Sequence, residues 1–276
     1  MNLGNDNNPN YQFIKEIEES SYIEIKNQIN IVNEADDSID LFLIHKNNFG
    51  ETVDFHNEHF RDFIENMTEP IKTDKNEYTF IKIEINRILL NYLSSFRMLI
   101  DHSERLIKKR FGKDSTEFLT LKETLKNAYD NHFEYRFIYK LRNFCQHCGI
   151  PVTDFIIDNT KKSAEMCFNK QYLLNEYDSW GVEIKNDFLK LEPKFSVNEI
   201  LLKNIEIMNN ISKMIHSLYK GIFIDSLRRL HLITQKHRGK HELIILTELD
   251  TNDETHNITI QRFPFEKIDL FINGIS

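Results

Sequence analysis

Glycine and proline are scarce in this chain, 8 and 5 residues of 276. That argues against a sandwich or barrel, which needs a tight turn after every short strand, and favours long helices. Cysteine is nearly absent. An odd count of three, Cys145, Cys148 and Cys167, behind an Asn-rich start with no apolar signal segment, points to reduced thiols in a cytoplasmic protein. No uninterrupted apolar run approaches the ~20 residues needed to span a bilayer, so a membrane partner is not expected. Positive charge is also in deficit. Thirty-five Lys and Arg against 43 Asp and Glu leave a net charge of −8, which excludes a protein that coats nucleic acid by bulk charge. Contact with RNA must then come from a local patch. Glycine-rich phosphate loops, His-Glu-x-x-His, nucleophile elbows and kinase signatures are missing as well.

What the chain does contain is helical periodicity. Residues 1–10 read as a disordered leader, and Tyr11 to about Met67 as helical stretches broken by polar runs such as Asn33–Ser38. From Tyr78 to Phe111, apolar Ile81, Ile85, Ile88, Tyr92, Phe96, Leu99 and Leu106 follow helical spacing. Gly112 is a natural stop, and Asp114 or Ser115 a cap for a helix to about Asp130. A further helix runs from about His132 to Cys148 and ends at Gly149 and Pro151. Val152–Ile157 and Ala164–Phe168 predict a small β-hairpin. Short helical pieces follow at Tyr172–Tyr177 and Val182–Leu191. Val197, Leu201, Ile205, Met208, Ile211, Ile215, Leu218 and Ile222 then mark a long helix, with a bend at Gly221, to about Gln235. A second hairpin spans Leu243–Leu249 and Ile258–Phe263, with a short element at Glu266–Ile272. The expected architecture is a single, mostly α-helical bundle, 1–276, with a core at about 78–150 and 197–235 and small β decorations, the C-terminal one at about 241–263.

On the helix at 132–148, residues placed at 100° steps put Phe133, Phe137, Leu141, Phe144 and Cys148 on one buried face. Arg136, Lys140, Asn143 and His147 form a stripe on one flank, and Tyr135, Tyr139, Arg142 and Gln146 a second stripe behind it. Cations, amides and an imidazole therefore gather where the helix ends.

The segment Arg142-Asn143-Phe144-Cys145-Gln146-His147 resembles the Arg–polar–His motif of HEPN domains, and Cys148-Gly149-Ile150-Pro151 resembles the continuation seen in bacterial chains carrying Arg-Asn-x-x-Gln-His. The resemblance covers mainly residues 78–150, and 197–235 by extension. It implies a HEPN-like bundle and a ribonuclease that needs no metal or other cofactor. It also implies a toxin or phage-defence effector with an RNA substrate and an antitoxin or defence-system partner. The reaction implied is attack of a ribose 2′-hydroxyl on the adjacent phosphate. Arg142, His147 and Asn143 would be catalytic, with Gln146, Lys140 and Arg136 as auxiliary substrate contacts. Imidazole titrates near neutrality and can move the proton; a guanidinium can clamp phosphate oxygens bidentately.

Arg142 and His147 lie five residues apart, which on a regular helix separates their directions by about 140°. Gripping one phosphate with both requires either unwinding near Cys145 or a second copy of the chain, and the expectation is a homodimer with facing motif helices. Other readings stay open. Arg142 and His147 can be purely structural, or the bundle a non-catalytic dimerisation or nucleotide-binding module, or a sensor acting through its C-terminal strands. Cys145, His147, Cys148 and Cys167 can be weighed as a zinc set, although two of these thiols lie on a helix and no second paired knuckle appears. His56 and His59 read as a solvated face. His231, His237 and His241 with Arg228, Arg229, Lys236, Arg238 and Lys240, and likewise Lys108, Lys109 and Arg110, read as cationic last turns of helices, with an RNA-facing patch as the alternative for the first set.

Overall fold

The computed structural model describes residues 16–57, 75–158, 163–235, 244–249 and 257–272. Eight helices and two small antiparallel sheets are found among them. In chain order these are α1 (Glu19–Phe55), α2 (Lys75–Phe111), α3 (Thr116–Asn131), α4 (Phe133–His147), β1 (Val152–Asp158), β2 (Ser163–Asn169), α5 (Lys170–Glu176), α6 (Val182–Phe188), β3 (Lys194–Ser196), α7 (Val197–Thr234), β4 (Ile244–Leu249), β5 (Asn257–Arg262) and α8 (Phe265–Ile272). The chain is mostly α-helical with small β additions, as its periodicity predicts. None of the described helices is long and apolar enough to cross a membrane.

Where a single domain was expected, the residues group into two compact units, 35–220 and the pair of segments 1–34 and 221–276. Helices α1 and α7 each contribute to both. In the smaller unit Ile25, Ile29 and Val32 of α1 pack with Leu227 and Leu230 of α7 and with Phe263 and Ile268. The buried Ser226 hydroxyl donates to the Gln28 side-chain oxygen at 2.8 Å. Strands β4 and β5 pair from Ile244↔Arg262 to Leu249↔Asn257, which is the expected C-terminal hairpin.

The larger unit holds the motif helix. All seven apolar positions that marked α2 are buried. Gly112 adopts a positive φ of 98° and its N–H bonds to the Lys108 carbonyl at 3.0 Å, closing α2. Ser115 caps α3 by accepting from the Phe118 N–H at 3.1 Å. Helix α7 runs unbroken through Gly221. Its inward face is Val197, Leu201, Ile205, Met208, Ile211, Ile215 and Tyr219, and Leu218 is only half-buried.

Two expectations are corrected here. The break at Asn33–Ser38 does not occur, and α1 is one helix of 37 residues. Its inward positions keep helical spacing, but several are polar. Ser38, His45 and Thr52 are buried, and the hydroxyls of Ser38 and Thr52 donate to the carbonyls of Ala35 and Asn48. A polar residue that satisfies itself on its own helix can stay inside without looking apolar. The first hairpin is also not alone. β3 pairs antiparallel with β2, Cys167↔Ser196 to Asn169↔Lys194, making a three-stranded sheet β1-β2-β3 with a bulge between Val152 and Asp154.

Candidate active site

Helix α4 is held from three sides. Toward α2, Tyr135 lies edge-on to Phe96 at 5.3 Å and the Arg97 guanidinium stands 4.8 Å over the Tyr139 ring. Toward the segment 152–196 it meets an aromatic box. Trp180, fully buried, stacks on Phe137 at 5.7 Å and on Phe144 at 5.9 Å, and donates its indole N–H to the Leu173 carbonyl. Phe168, Phe188 and Phe195 close around Phe137 at 5.1, 5.9 and 5.5 Å. Phe168 from the expected hairpin and Phe188 from an expected short helical piece, with Trp180 and Phe195, thus form a wall behind the motif helix. Aromatic pairs in such offset and edge-on arrangements add to the stabilisation from area burial alone.

The chain leaving α4 is fixed as well. The Asn86 amide, itself buried, donates to the Val152 carbonyl at 2.9 Å and accepts from the Val152 N–H at 3.0 Å. This is the pairing a neighbouring strand would make, supplied by one side chain.

On this frame the six candidate residues separate. Arg136 does not line the outer flank. It is buried, and its guanidinium donates to the carbonyls of Tyr129 (2.6 Å) and Asp130 (2.8 Å) and to Asp187 on α6 (2.6 Å). The last carbonyls of a helix have no partner within it and attract a cation. Arg136 caps α3 from the next helix and ties α3, α4 and α6 together; it is corrected from a substrate contact to a structural residue. Tyr135 is also buried rather than on the second stripe, because α4 packs on α2 on that side.

The other five stay on or near the surface at the C-terminal half of α4. Gln146 and His147 are exposed; Lys140, Arg142 and Asn143 are half-buried. Arg142 donates to the Gln146 side-chain oxygen at 2.6 Å, an i, i+4 contact. Lys140, Asn143 and His147 make no side-chain hydrogen bond or ion pair among the described residues. The helix does not unwind at Cys145. It remains α-helical to His147, and the Cys148 N–H closes the last turn on the Phe144 carbonyl at 2.8 Å. Arg142 and His147 therefore keep divergent directions on one straight element.

The thiols give no sign of a metal set. Burial pushes the Cys145 thiol up to about 12 and Cys167 is buried. Among the described residues no three or more His, Cys, Asp or Glu side chains stand together in a way that could hold a metal ion. His56 is half-buried rather than on a solvated face, and burial lowers its pKa, with Glu165 opposing. His59, Lys236, His237, Arg238, Lys240 and His241 lie outside the described residues, while Arg228 and Arg229 pair with Asp225 and Glu24. Comparison of the chain with protein-family models, with curated proteins and with solved structures finds no match.

Proposed function

We propose that this chain is a metal-independent endoribonuclease of the HEPN type, acting through the C-terminal end of α4. The observation that carries the reading is the contrast on one helix between fixed and available polar groups. The inner face is locked by aromatics and by the Arg136 ties. The outer end presents an arginine, an amide and an imidazole, of which Asn143 and His147 have no side-chain partner among the described residues. Polar groups without an internal task, on a rigid element, are suited to a substrate.

In this reading the Arg142 guanidinium binds the scissile phosphate and stabilises the charge that builds on it. His147 exchanges the proton: it takes the 2′-hydroxyl hydrogen as the 2′-oxygen attacks phosphorus, or gives one to the departing 5′-oxygen. The P–O5′ bond breaks, leaving a 2′,3′-cyclic phosphate and a 5′-hydroxyl. Asn143 orients His147, four residues on, or holds a phosphate oxygen. The unbroken helix favours a site shared by two copies, since a two-fold axis brings one chain's Arg142 toward the other's His147 without bending either helix. A cell that carries such an enzyme needs a neutralising or activating partner, which fits a toxin or defence effector.

The test is incubation of the purified chain with total RNA and tRNA in EDTA, followed by end-group analysis. Fragments with cyclic-phosphate 3′ ends are expected. Cleavage that needs added magnesium or manganese overturns the mechanism, and RNA or nucleotide binding without cleavage favours a non-catalytic binding module.

A further inference from the structure

One cation beside the motif has no place in that mechanism. Arg97 comes from α2, yet its guanidinium lies 4.8 Å over the ring of Tyr139 on α4. Tyr139 stands three residues before Arg142 and seven before Gln146, so all three share one stripe of the helix. Tyr129 of α3 meets the Tyr139 ring edge-on at 5.8 Å, fixing the platform from the other side. Arg142 on α4 therefore has a second arginine seated beside the residue three positions before it, about 4.5 Å back along the axis, contributed by a different helix. That step is of the order of one nucleotide in an extended single strand.

Resting on the ribonuclease reading, we propose that Arg97, held over Tyr139, is a second phosphate-binding residue that takes the phosphate next to the one at Arg142 in a single RNA strand lying along α4. A guanidinium held against an aromatic ring is already ordered, so it loses little freedom on binding an anion through its N–H donors. Arg97 is now engaged by Asp101 through two contacts of 2.9 Å, which do not use every N–H donor the group has. This pair joins residues four apart on one helix, with side chains 30% and 50% exposed, so a phosphate can displace the carboxylate at small cost. Glu104, three residues after Asp101 on α2, is held by Lys122 at 3.0 Å. Asp101 acts here as a stand-in anion that keeps Arg97 in place until a strand arrives.

The experiment measures binding of the full chain to a fluorescent oligouridylate with 2′-O-methyl riboses, which cannot be cleaved, across a series of salt concentrations. Arg97→Gln is expected to weaken binding roughly tenfold and to reduce the slope of log K against log salt by about 0.7, the loss of one phosphate contact on a single strand. Asp101→Asn, which removes the competing anion, is expected to tighten binding by roughly two- to fivefold. A merely structural Arg97–Asp101 pair gives the opposite result for Asp101→Asn, weaker or unchanged binding, and an unchanged salt slope for Arg97→Gln; either overturns the proposal. Arg142→Ala separates the two readings. If it leaves binding intact while Arg97→Gln weakens it, Arg97 binds phosphate and the ribonuclease site at Arg142 is wrong. If the wild-type chain does not bind the oligonucleotide at low salt, both fail.

Discussion

The two ends of helix α4 carry the same residue type and put it to different use. Near the start, Arg136 lies inside, bonded to two carbonyls of α3 and to Asp187. Near the finish, Arg142 is half-buried and its one side-chain hydrogen bond among the described residues goes to Gln146 in the next turn. Spacing on the helix does not separate them, since both fall on its polar flanks. What separates them is what arrives from elsewhere: the C-terminus of α3 and the α6 carboxylate reach one end only. Fixing the first end lends precision to the second, because a helix anchored by a buried ion pair and an aromatic box presents its last turn in one orientation.

The comparison breaks most directly at Arg136. Arg136→Ala leaves two helix-terminal carbonyls without their cation and Asp187 with only the exposed Lys190 at 3.5 Å, and removing one member of a largely buried pair costs roughly 3–5 kcal/mol. Denaturant titration should show a loss of that size. A loss under about 1 kcal/mol would mean that the pair behaves as a surface one. Leu141, between the two ends and fully buried, should cost roughly 2–5 kcal/mol on replacement by alanine. A much smaller loss in the same titration would show that the inner face of α4 is loosely packed.

Acid sharpens the contrast between inner and outer groups. His45 is buried on α1, its Nδ1 shares a hydrogen bond of 3.0 Å with the Ser95 hydroxyl, and burial lowers its pKa to about 3. Its ring lies 4.5 Å from that of Tyr92, and burial is the cause of the shift. The unfolded chain, with an ordinary histidine near 6.5, binds more protons than the folded one between those values. Stability is therefore full above about pH 6.5 and falls as the pH drops toward 3, by roughly 3 kcal/mol at pH 4. Urea titrations at pH 7 and pH 4 on wild type and His45→Gln check this. The variant should show a shallower acid slope, and an identical slope would contradict the assignment. The smallest effect is expected at Gly221 of α7. A Cβ added at Gly221 meets nothing within 4 Å, so Gly221→Ala should stabilise by about 0.5–1 kcal/mol through helix propensity alone. A destabilised variant in a thermal melt would show that α7 needs the glycine.

Much of this was legible in the sequence. The apolar spacing of α2 and α4, the stop at Gly112, the cap at Ser115 and both hairpins follow from local rules, and they occur. Local rules fail where a residue's role is set by a distant partner. Ser38, His45 and Thr52 hide the continuity of α1: the two hydroxyls are satisfied on the helix itself, and the His45 Nδ1 by Ser95 of α2. β3 has only three residues, too few to carry a period. Arg136 could not be told from Arg142 without Asp187, and Arg97 gave no signal until Tyr139 was seen beneath it. Trp180, the only tryptophan, was the one hint that the segment after the motif helix builds core.

The account stands or falls on the outer end of α4. The most direct measurement is the rate of RNA cleavage in EDTA by Arg142→Ala and His147→Ala, each paired with its own unfolding transition. Both side chains lie outside the buried core, and such changes usually move stability by only about ±0.5 kcal/mol. The account predicts that each variant loses cleavage while its transition stays where the wild type has it. Retained cleavage in either variant, or loss of cleavage together with the fold, would contradict it.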